Sequence, residues 1–309
     1  MRKSKTLDYP SDACPACGGI GLQYAGPVYY PPEPKVAAVP VNLPAGDCFL
    51  KRCPACEFQF KFPPITEAML LDCYAKTDAG HWGIDPRRRK FDVIKSEVVR
   101  RASGRTILDI GCFNGGLLEY FGAEWTRFGL EPSTAAAKVA AERGIHILGA
   151  TIKDLQPTAR FDVIVAIDVV EHILDPADFF RRVSLSLSPG GIFLILTGDT
   201  DAWPWRLQLS RYWYVSYLPE HTSFYSRKTV TILAERNGMK SVDCSLLSHD
   251  RNPLVTILFE HAKGLVFGGL YRMGWLGLPM LKRRFAHRYG TVWISAVDHM
   301  LHIMKREPM

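Results

Sequence analysis

The chain has 309 residues, 47% of them hydrophobic, and a formal net charge of +7. Such a chain can bury a full α/β core and still supply one or two small additions, so its composition excludes a disordered or fibrous protein. The amino terminus is polar and basic, and no apolar segment of a secretory signal follows it. We therefore expect a cytoplasmic protein.

Two identical cysteine pairs stand near the start of the chain, Cys14-Pro-Ala-Cys17 and Cys53-Pro-Ala-Cys56. Each pair can supply two thiolates to one tetrahedral Zn²⁺, and two pairs close a structural site with no open position for catalysis. We expect a small zinc ribbon over residues 1–62, with free or disulfide-bonded thiols as the alternative. The separation of the pairs is longer than usual, which predicts an extended loop over residues 29–44. The other cysteines have no partner at metal spacing and are expected to be small buried or neutral residues: Cys48, Cys73, Cys112 and Cys244.

A helical lead-in is predicted over residues 63–103. Thr66 is a candidate N-cap for a helix that runs toward Tyr74. A second helix is predicted to begin at Asp85 and Pro86, which suit the N-cap and the first helical position, and to end before Gly104. Its first turn, Arg87-Arg-Arg-Lys90, is most simply a solvated surface. An anionic partner is the alternative, because cations in a first turn oppose the helix dipole.

The central motif is the run Thr106-Ile-Leu-Asp-Ile-Gly-Cys-Phe-Asn-Gly-Gly116. Its apolar half predicts a strand buried on both faces, and its glycines let a backbone turn approach a ligand closely. Twenty residues after Gly111, a second apolar run ends on Glu131, whose carboxylate can accept hydrogen bonds from both hydroxyls of a ribose. Phe113 stands where a dinucleotide fold has the glycine that admits a pyrophosphate. The pattern therefore favours a nucleoside ligand without phosphates.

Strands and helices alternate after Glu131, which predicts a doubly wound, mostly parallel, Rossmann-like α/β core over residues 104–250. The predicted elements are a helix from Ser133 to Arg143, strands over 145–148 and 163–167, a helix from Asp175 to the Ser188–Gly191 turn, a strand over 192–196, a helix from Ser226 to Gly238, and a strand over 241–247.

These motifs, with Phe161-Asp-Val-Ile-Val-Ala-Ile-Asp-Val-Val-Glu-His172, Leu187-Ser-Pro-Gly-Gly191 and Glu220-His-Thr-Ser-Phe-Tyr-Ser226 in the same order, resemble the class I methyltransferases that use S-adenosylmethionine. With the cysteine pairs, the chain resembles bacterial enzymes that methylate sugars in polysaccharide pathways. The family usually has Gly-x-Gly-x-Gly where this chain has Gly111-Cys-Phe-Asn-Gly115. The resemblance implies a cofactor site formed by Asp109, Gly111, Cys112, Phe113, Asn114, Gly115, Glu131, Pro132, Thr151, Ile152, Asp168 and Val169.

Methyl transfer to a hydroxyl or a carbon acid also needs a group that accepts a proton. Asp168, Glu171 and His172 have helical spacing, which predicts a shared face near the cofactor. His221, next to Glu220, is the other candidate. For both histidines the alternative is a structural role, in which the imidazole only anchors a loop. The candidate catalytic residues are therefore His221, His172 and Glu220.

The basic excess lies at the carboxyl end. Residues 251–309 contain nine Lys or Arg against three Asp or Glu. We expect a basic, apolar helical insertion over residues 251–296 and a last, antiparallel core strand over residues 297–309. Arg272 interrupts the apolar segment before it could span a bilayer. Residues 264–288 could contact the inner face of a membrane, or pack on the core or a partner.

Three functions remain open. The first is methylation of the oxygen or carbon of a small molecule or glycan, with a lipid or quinone acceptor at the membrane surface as its variant. The second is nucleic-acid methylation, which is disfavoured because no Asn/Asp-Pro-Pro-aromatic motif follows the fourth strand. The third is a non-catalytic scaffold that binds S-adenosylmethionine. The oligomeric state is not indicated by the sequence.

Overall fold

The structure is a computed structural model that describes residues 12–43, 47–81, 89–216, 218–247, 253–273 and 297–307. The strands are β1 Gln23–Pro27, β2 Lys35–Val36, β3 Val39–Pro40, β4 Phe49–Arg52, β5 Gln59–Phe62, β6 Thr106–Ile110, β7 Thr126–Leu130, β8 His146–Gly149, β9 Phe161–Ile167, β10 Leu187–Gly198, β11 Ser223–Phe224, β12 Met239–Leu247 and β13 His299–Arg306. The helices are α1 Glu67–Ala75, α2 Arg89–Arg101, α3 Thr134–Glu142, α4 Pro176–Ser186, α5 Trp203–Gln208, α6 Trp213–Ser216, α7 Arg227–Arg236 and α8 Leu254–Arg272.

The central sheet has seven strands in the order β12-β13-β10-β9-β6-β7-β8. Strands β6 to β10 are parallel to their neighbours within this group, whereas β13 is antiparallel to both β10 and β12. The predicted Rossmann-like sheet with an antiparallel last strand is confirmed. Strand β13 lies between β10 and β12. Its first residue, His299, pairs with Gly198, and this pairing places His299 at the carboxyl edge of the parallel strands.

Strand β6 is buried on both faces, as its apolar run predicts. Ile107 contributes to the hydrophobic cluster on one face of the sheet, and Leu108 and Ile110 contribute to the cluster on the other face. Alternate side chains of a strand point to opposite faces, so a sheet covered on both faces needs apolar residues at successive positions. The loop that follows β6 is thereby fixed at the carboxyl edge of the sheet.

Four predicted helix starts are confirmed by their caps. The Thr66, Ser133, Asp175 and Ser226 side chains each accept a hydrogen bond from a backbone N–H in the first turn of α1, α3, α4 and α7, respectively. Each such bond satisfies one of the amides that a helix leaves without an internal partner. The predicted start of α2, at Asp85 and Pro86, lies outside the described residues.

Two segments differ from their predicted structure. Helix α4 ends at Ser186, and β10 already begins at the buried Leu187, which pairs with Phe161. The register then shifts before Ile192, so the Ser-Pro-Gly-Gly turn is an irregularity within the strand. The predicted loop between the cysteine pairs contains the β2–β3 hairpin, which turns at Ala37 and Ala38 with positive φ and packs on α1.

The cysteine-rich segment is joined to the core through a second sheet, in the order β1-β4-β5-β11. Strand β11 follows the segment that carries Glu220 and His221, and it pairs antiparallel with β5. In the carboxyl-terminal insertion, α8 is helical as predicted and packs on α5. No helix in the described ranges is both long enough and apolar enough to cross a membrane.

Candidate active site

The loop after β6 and the end of β7 form one half of the site. The Glu131 carboxylate accepts hydrogen bonds from the Phe113 amide (2.8 Å) and the Ser133 amide (2.7 Å). Gly111 and Gly115 have φ of +73° and +83°, and a Cβ at Gly111 would lie 2.6 Å from Val169 Cγ2. A side chain at either position would be both strained and crowded. These residues therefore fix the loop around a carboxylate at the sheet edge.

Two buried carboxyl groups in this half have raised pKa values. Burial raises the pKa of Glu131 to about 7, although the Ser133 and Phe113 amides lower it. Burial, and then the nearby Glu131, raises the pKa of Asp109. Asp109 Oδ1 has no hydrogen-bond partner within the described ranges although Asp109 is only 3% exposed. A ligand that is cationic near Asp109 and carries hydroxyls near Glu131 fits these residues, and S-adenosylmethionine has both features.

Other predicted cofactor residues surround the same loop. Asn114 Nδ2 donates to Ala79 O at 3.2 Å, and Ser133 Oγ donates to Thr77 O at 2.7 Å, so the chain after α1 is held against the loop. Cys112 is buried, and Pro132 follows Glu131 directly.

The segment of the predicted cofactor residues Thr151 and Ile152 already has an internal partner. The Asp154 carboxylate accepts hydrogen bonds from the amides of Ala150 (2.9 Å) and Thr151 (2.8 Å), within a capping box. Ile152 is 7% exposed and belongs to the core cluster on one face of the sheet. Two of the three backbone amides in this segment are therefore engaged within the chain.

Asp168 forms an ion pair that the sequence analysis did not predict. Lys90 Nζ lies 2.5 Å from Asp168 Oδ2, and the Lys90 side chain is only 4% exposed. A solvated first turn is thus wrong for Lys90, because α2 begins beside the end of β9 and its lysine points inward. The anionic partner of Lys90 is therefore Asp168 of the same chain.

Glu171, His172 and His221 form the other half of the site. One ligand atom from each lies within 4.8 Å of the other two, so the set could hold a metal ion or a proton. The fully buried Glu171 carboxylate accepts hydrogen bonds from Thr197 Oγ1 (3.0 Å) and Tyr214 OH (2.6 Å). The two imidazole rings are 4.9 Å apart and edge-to-face. The structure therefore brings both predicted histidines to one place.

The surroundings orient both imidazole rings. His172 Nδ1 lies 3.0 Å from the Tyr74 hydroxyl and 3.0 Å from the Glu220 carbonyl oxygen. His221 Nδ1 lies 3.2 Å from the Tyr214 carbonyl oxygen. Burial, and then His172 and Lys61, lowers the pKa of His221 well below its ordinary value. His221 is therefore a neutral imidazole at neutral pH.

The loop that carries Glu220 contacts a buried lysine from the cysteine-rich segment. Lys61 is 1% exposed, its Nζ donates to Leu218 O at 2.7 Å, and burial lowers its pKa to about 7. Burial also raises the pKa of Glu220, whereas His172 and then Lys61 lower it. The carbonyl oxygen of the predicted catalytic Glu220 contacts His172, and its carboxyl group is close enough to both His172 and Lys61 for each to lower its pKa.

Four residues of the site were missed by the sequence analysis: Tyr74, Lys90, Tyr214 and Lys61. Lys90 stands in a cationic run and Tyr214 in an aromatic run, and neither run distinguishes one member from its neighbours. Their contacts join residues far apart in the chain, as between Lys90 and Asp168. Only the fold could select them.

The four paired cysteines lie in one cluster. Sγ atoms are 3.6 Å apart between Cys14 and Cys56 and between Cys17 and Cys53, and all four lie within 4.8 Å of one another. Four thiolates at about 2.3 Å from a tetrahedral Zn²⁺ are about 3.8 Å from one another. The cluster therefore fits such an ion.

The cysteine cluster is tied to the segment that contains His221. Thr229 Oγ1 donates to Cys56 O at 2.8 Å, and the Lys61 amide donates to Thr222 O at 3.0 Å. The Thr222 amide in turn donates to Glu171 O at 2.8 Å. The same short segment is thus bonded to the cysteine-rich sheet on one side and to the Glu171 turn on the other.

A family model described as "Methyltransferase domain" matches residues 83–243, which is more than half of the chain. The match includes the glycine loop, Glu131 and the Glu171–His172 turn, but ends after β12 has begun and excludes both cysteine pairs.

Among curated proteins, the chain is similar to enzymes named ubiquinone biosynthesis O-methyltransferase. The relative from Bradyrhizobium sp. (strain ORS 278) is 35% identical over 46% of this chain and 59% of its own length. The one from Rhodopseudomonas palustris (strain HaA2) is 36% identical over 37% and 47%. The one from Methylobacterium nodulans is 30% identical over 63% and 77%. The chain thus spans about half the length of the first two relatives.

Among solved structures, the chain is similar to Haemonchus contortus phosphoethanolamine N-methyltransferase 2, with a TM-score of 0.49 and 16% identity over 87% of this chain and 71% of that one. It is also similar to the YcgJ protein from Bacillus subtilis, with a TM-score of 0.46 and 15% identity over 71% and 99%.

Proposed function

Because the chain belongs to the methyltransferase-domain family, we propose that it transfers a methyl group from S-adenosylmethionine to a hydroxyl oxygen of an apolar, quinone-like acceptor. The names of its relatives favour this acceptor over the sugar that the sequence resemblance implied. The cofactor supplies a methyl group that is already activated, so the protein contributes position and a route for the proton.

The observation that supports O-methylation most directly is the pair of adjacent imidazoles beside Glu171. A carbonyl oxygen only accepts hydrogen bonds, so the contact with Glu220 O favours a proton on His172 Nδ1 and leaves Nε2 as the acceptor. His172 is half-buried, whereas His221 is 7% exposed. We therefore assign the acceptor hydroxyl's proton to His172 and give His221 the role of holding the ring in place.

The cofactor would be held by Glu131 at its ribose and by Asp109 near its cationic part, within the turn of Gly111 to Gly115. Asp168 and Val169, at the end of β9, would lie between this half and the histidines. The rings of Trp205 and Phe224, 5.9 Å and 6.3 Å from the Tyr214 ring, form a buried aromatic cluster behind the Glu171 turn. We further propose that the four cysteines bind a structural Zn²⁺.

The test is a methyl-transfer assay with labelled cofactor and two acceptor classes, a short-chain water-soluble catechol and a sugar nucleotide. We expect turnover with the catechol only. His172→Gln should lower kcat by about 10²-fold or more, and His221→Gln by less, while both variants bind S-adenosylhomocysteine like the wild type. Tyr74→Phe is a milder companion variant, because it removes one contact of the His172 ring and keeps the imidazole.

Two results would contradict the proposal. Turnover with the sugar nucleotide alone would restore a glycan acceptor. Tight binding of S-adenosylhomocysteine without turnover of either class would favour the scaffold alternative.

A further inference from the structure

The outer face of α8 carries a continuous apolar stripe. The helix has 19 residues and is therefore about 28 Å long. Six large apolar side chains on it are between 58% and 78% exposed, at the spacing of one helical face: Leu254, Val255, Leu258, Phe259, Leu265 and Val266. Exposed apolar residues on an ordinary protein surface are scattered singly, whereas these six are contiguous. Such a contiguous apolar stripe indicates an interaction site.

The opposite face of α8 is fixed to the protein. Phe267 is 1% exposed, and a Cβ at Gly268 would lie 2.2 Å from Leu207 of α5, so the two helices are in close contact. The His261 ring stands 4.9 Å from the Trp203 ring. Because this inner face is packed, the outer stripe is presented by a firmly seated helix.

The helix lies on the acceptor side of the site. It packs on α5, whose Trp205 ring is 5.9 Å from the Tyr214 ring, and the Tyr214 hydroxyl donates to Glu171. One aromatic layer thus separates α8 from the Glu171–His172 turn. A surface that binds the outer stripe would be separated from the proposed acceptor half of the site by α8 and this aromatic layer.

The charge of this part of the chain favours one kind of surface. Residues 251–309 carry nine Lys or Arg and three Asp or Glu in sequence. An anionic lipid surface is complementary to an excess of this sign, to which α8 itself contributes Lys263 and Arg272 against Glu260. An apolar stripe next to cationic sequence is also the pattern of helices that lie in the membrane interface.

We propose that the outer face of α8 docks the protein onto an anionic lipid bilayer. The inference rests on the proposed function, since an apolar acceptor dissolved in the bilayer would explain why the surface lies on the acceptor side of the site. It places the membrane contact at residues 254–266, mostly before the 264–288 segment that the sequence indicated.

The experiment is co-sedimentation of the full chain with phosphatidylcholine vesicles that either contain or lack phosphatidylglycerol. We expect binding to the anionic vesicles that weakens with added salt. Leu258→Gln combined with Phe259→Gln should reduce the partition coefficient by about tenfold or more, because two large apolar side chains no longer enter the interface. The matched control is Val99→Gln with Leu185→Gln, two exposed apolar positions on other helices, which should bind as the wild type does.

Two outcomes would overturn the inference. One is equal sedimentation of the wild type and the Leu258/Phe259 variant. The other is a wild-type protein that binds no vesicles. This outcome includes the case in which light scattering shows a wild-type dimer that the Leu258/Phe259 variant converts to a monomer. Methylation of the water-soluble catechol without vesicles is measured on the same variants. If the protein does not bind vesicles but still methylates the catechol, only the proposed membrane contact is rejected. If the wild type does not methylate the catechol, the proposed function is rejected.

Discussion

Lys90 shows how a single contact can change the interpretation of a charged run. The four cations from Arg87 to Lys90 are alike in sequence, yet Lys90 is 4% exposed and paired with Asp168, while the side chains of the other three lie outside the described residues. The pair joins the start of α2 to the end of β9. It therefore fixes the lead-in helix against the strand end that precedes the Glu171–His172 turn.

Replacing Lys90 with Met should lower the free energy of unfolding by about 1–3 kcal/mol, because Asp168 loses its cationic partner in a partly buried place. Urea denaturation measures this change. Lys95→Met, at an exposed position of the same helix, is the matched control and should have almost no effect. Equal stability of the two variants would mean that the Lys90–Asp168 pair contributes nothing.

If Glu131 holds the cofactor as proposed, we expect binding to depend on pH. Its pKa is raised to about 7, so the carboxylate is protonated below that pH and ionised above it. The ionised form accepts stronger hydrogen bonds from ribose hydroxyls. Affinity for S-adenosylhomocysteine should therefore rise as the pH increases through about 7 and then level off, with a loss approaching tenfold per pH unit below it.

The measurement is calorimetric titration between about pH 6 and pH 8.5, with Glu131→Gln as the control. The variant should bind more weakly, and the part of the pH dependence that belongs to Glu131 should disappear. What remains would belong to Asp109, whose pKa is also raised. An unchanged pH profile in Glu131→Gln would show that Glu131 does not titrate on binding.

At the scale of elements, β11 is the link between the cysteine cluster and the Glu171–His172 turn. It pairs with β5, and the segment around it is bonded to Glu171, Ile173 and Val170. The proposed cofactor loop, Gly111 to Gly115, depends instead on β6 and β7, which belong to the central sheet. Disturbing the cysteine cluster should therefore affect the acceptor half of the site more than the cofactor half.

Cys56→Ser should lower the zinc content and reduce kcat by about 10²-fold, because a displacement of about 1 Å in the histidine segment has that cost. Affinity for S-adenosylhomocysteine should remain close to that of the wild type. Cys48→Ser is the matched control, since Cys48 lies outside the four-cysteine cluster. A loss of cofactor affinity in parallel with kcat would show that the cluster supports the whole fold and not one half of the site.

At the scale of the whole molecule, the described cysteine-rich segment and the core share one hydrophobic cluster. Cys53, Cys56 and Phe58 pack in the same cluster as Ile164 and Phe193 of the central sheet, and the Phe58 and Tyr225 rings are 5.2 Å apart. A boundary at residue 62 separates segments of sequence, but apolar contacts cross it. The cysteine-rich segment and the core are thus coupled in stability.

We expect a single cooperative unfolding transition for the metal-loaded protein, because neither part keeps its apolar surface buried without the other. Scanning calorimetry, with near-ultraviolet circular dichroism as a second probe, measures it. Adding a zinc chelator should shift the entire transition to lower temperature. Two resolved transitions, of which only the smaller responds to the chelator, would contradict the coupling.

The sequence by itself determined the local structure and the family. Thr66, Ser133, Asp175 and Ser226 fix helix starts through bonds within a few residues, and the apolar run before Gly111 fixes a buried strand. The prediction of a class I methyltransferase is confirmed at the level of the family. Local spacing also brings two thiols together in each cysteine pair, whereas the contacts of Cys14 with Cys56 and of Cys17 with Cys53 depend on the fold.

The tertiary structure decided which of several similar residues enter the site. Lys90 meets Asp168, Tyr74 meets His172, and Lys61 meets the Leu218 carbonyl only because distant segments converge at the carboxyl edge of the sheet. It also decided that α8 turns one apolar face outward, although its composition alone is compatible with complete burial. The physical reason is that burial and long-range hydrogen bonds depend on the packing of whole elements, whereas caps and strand patterns depend on a few neighbouring residues.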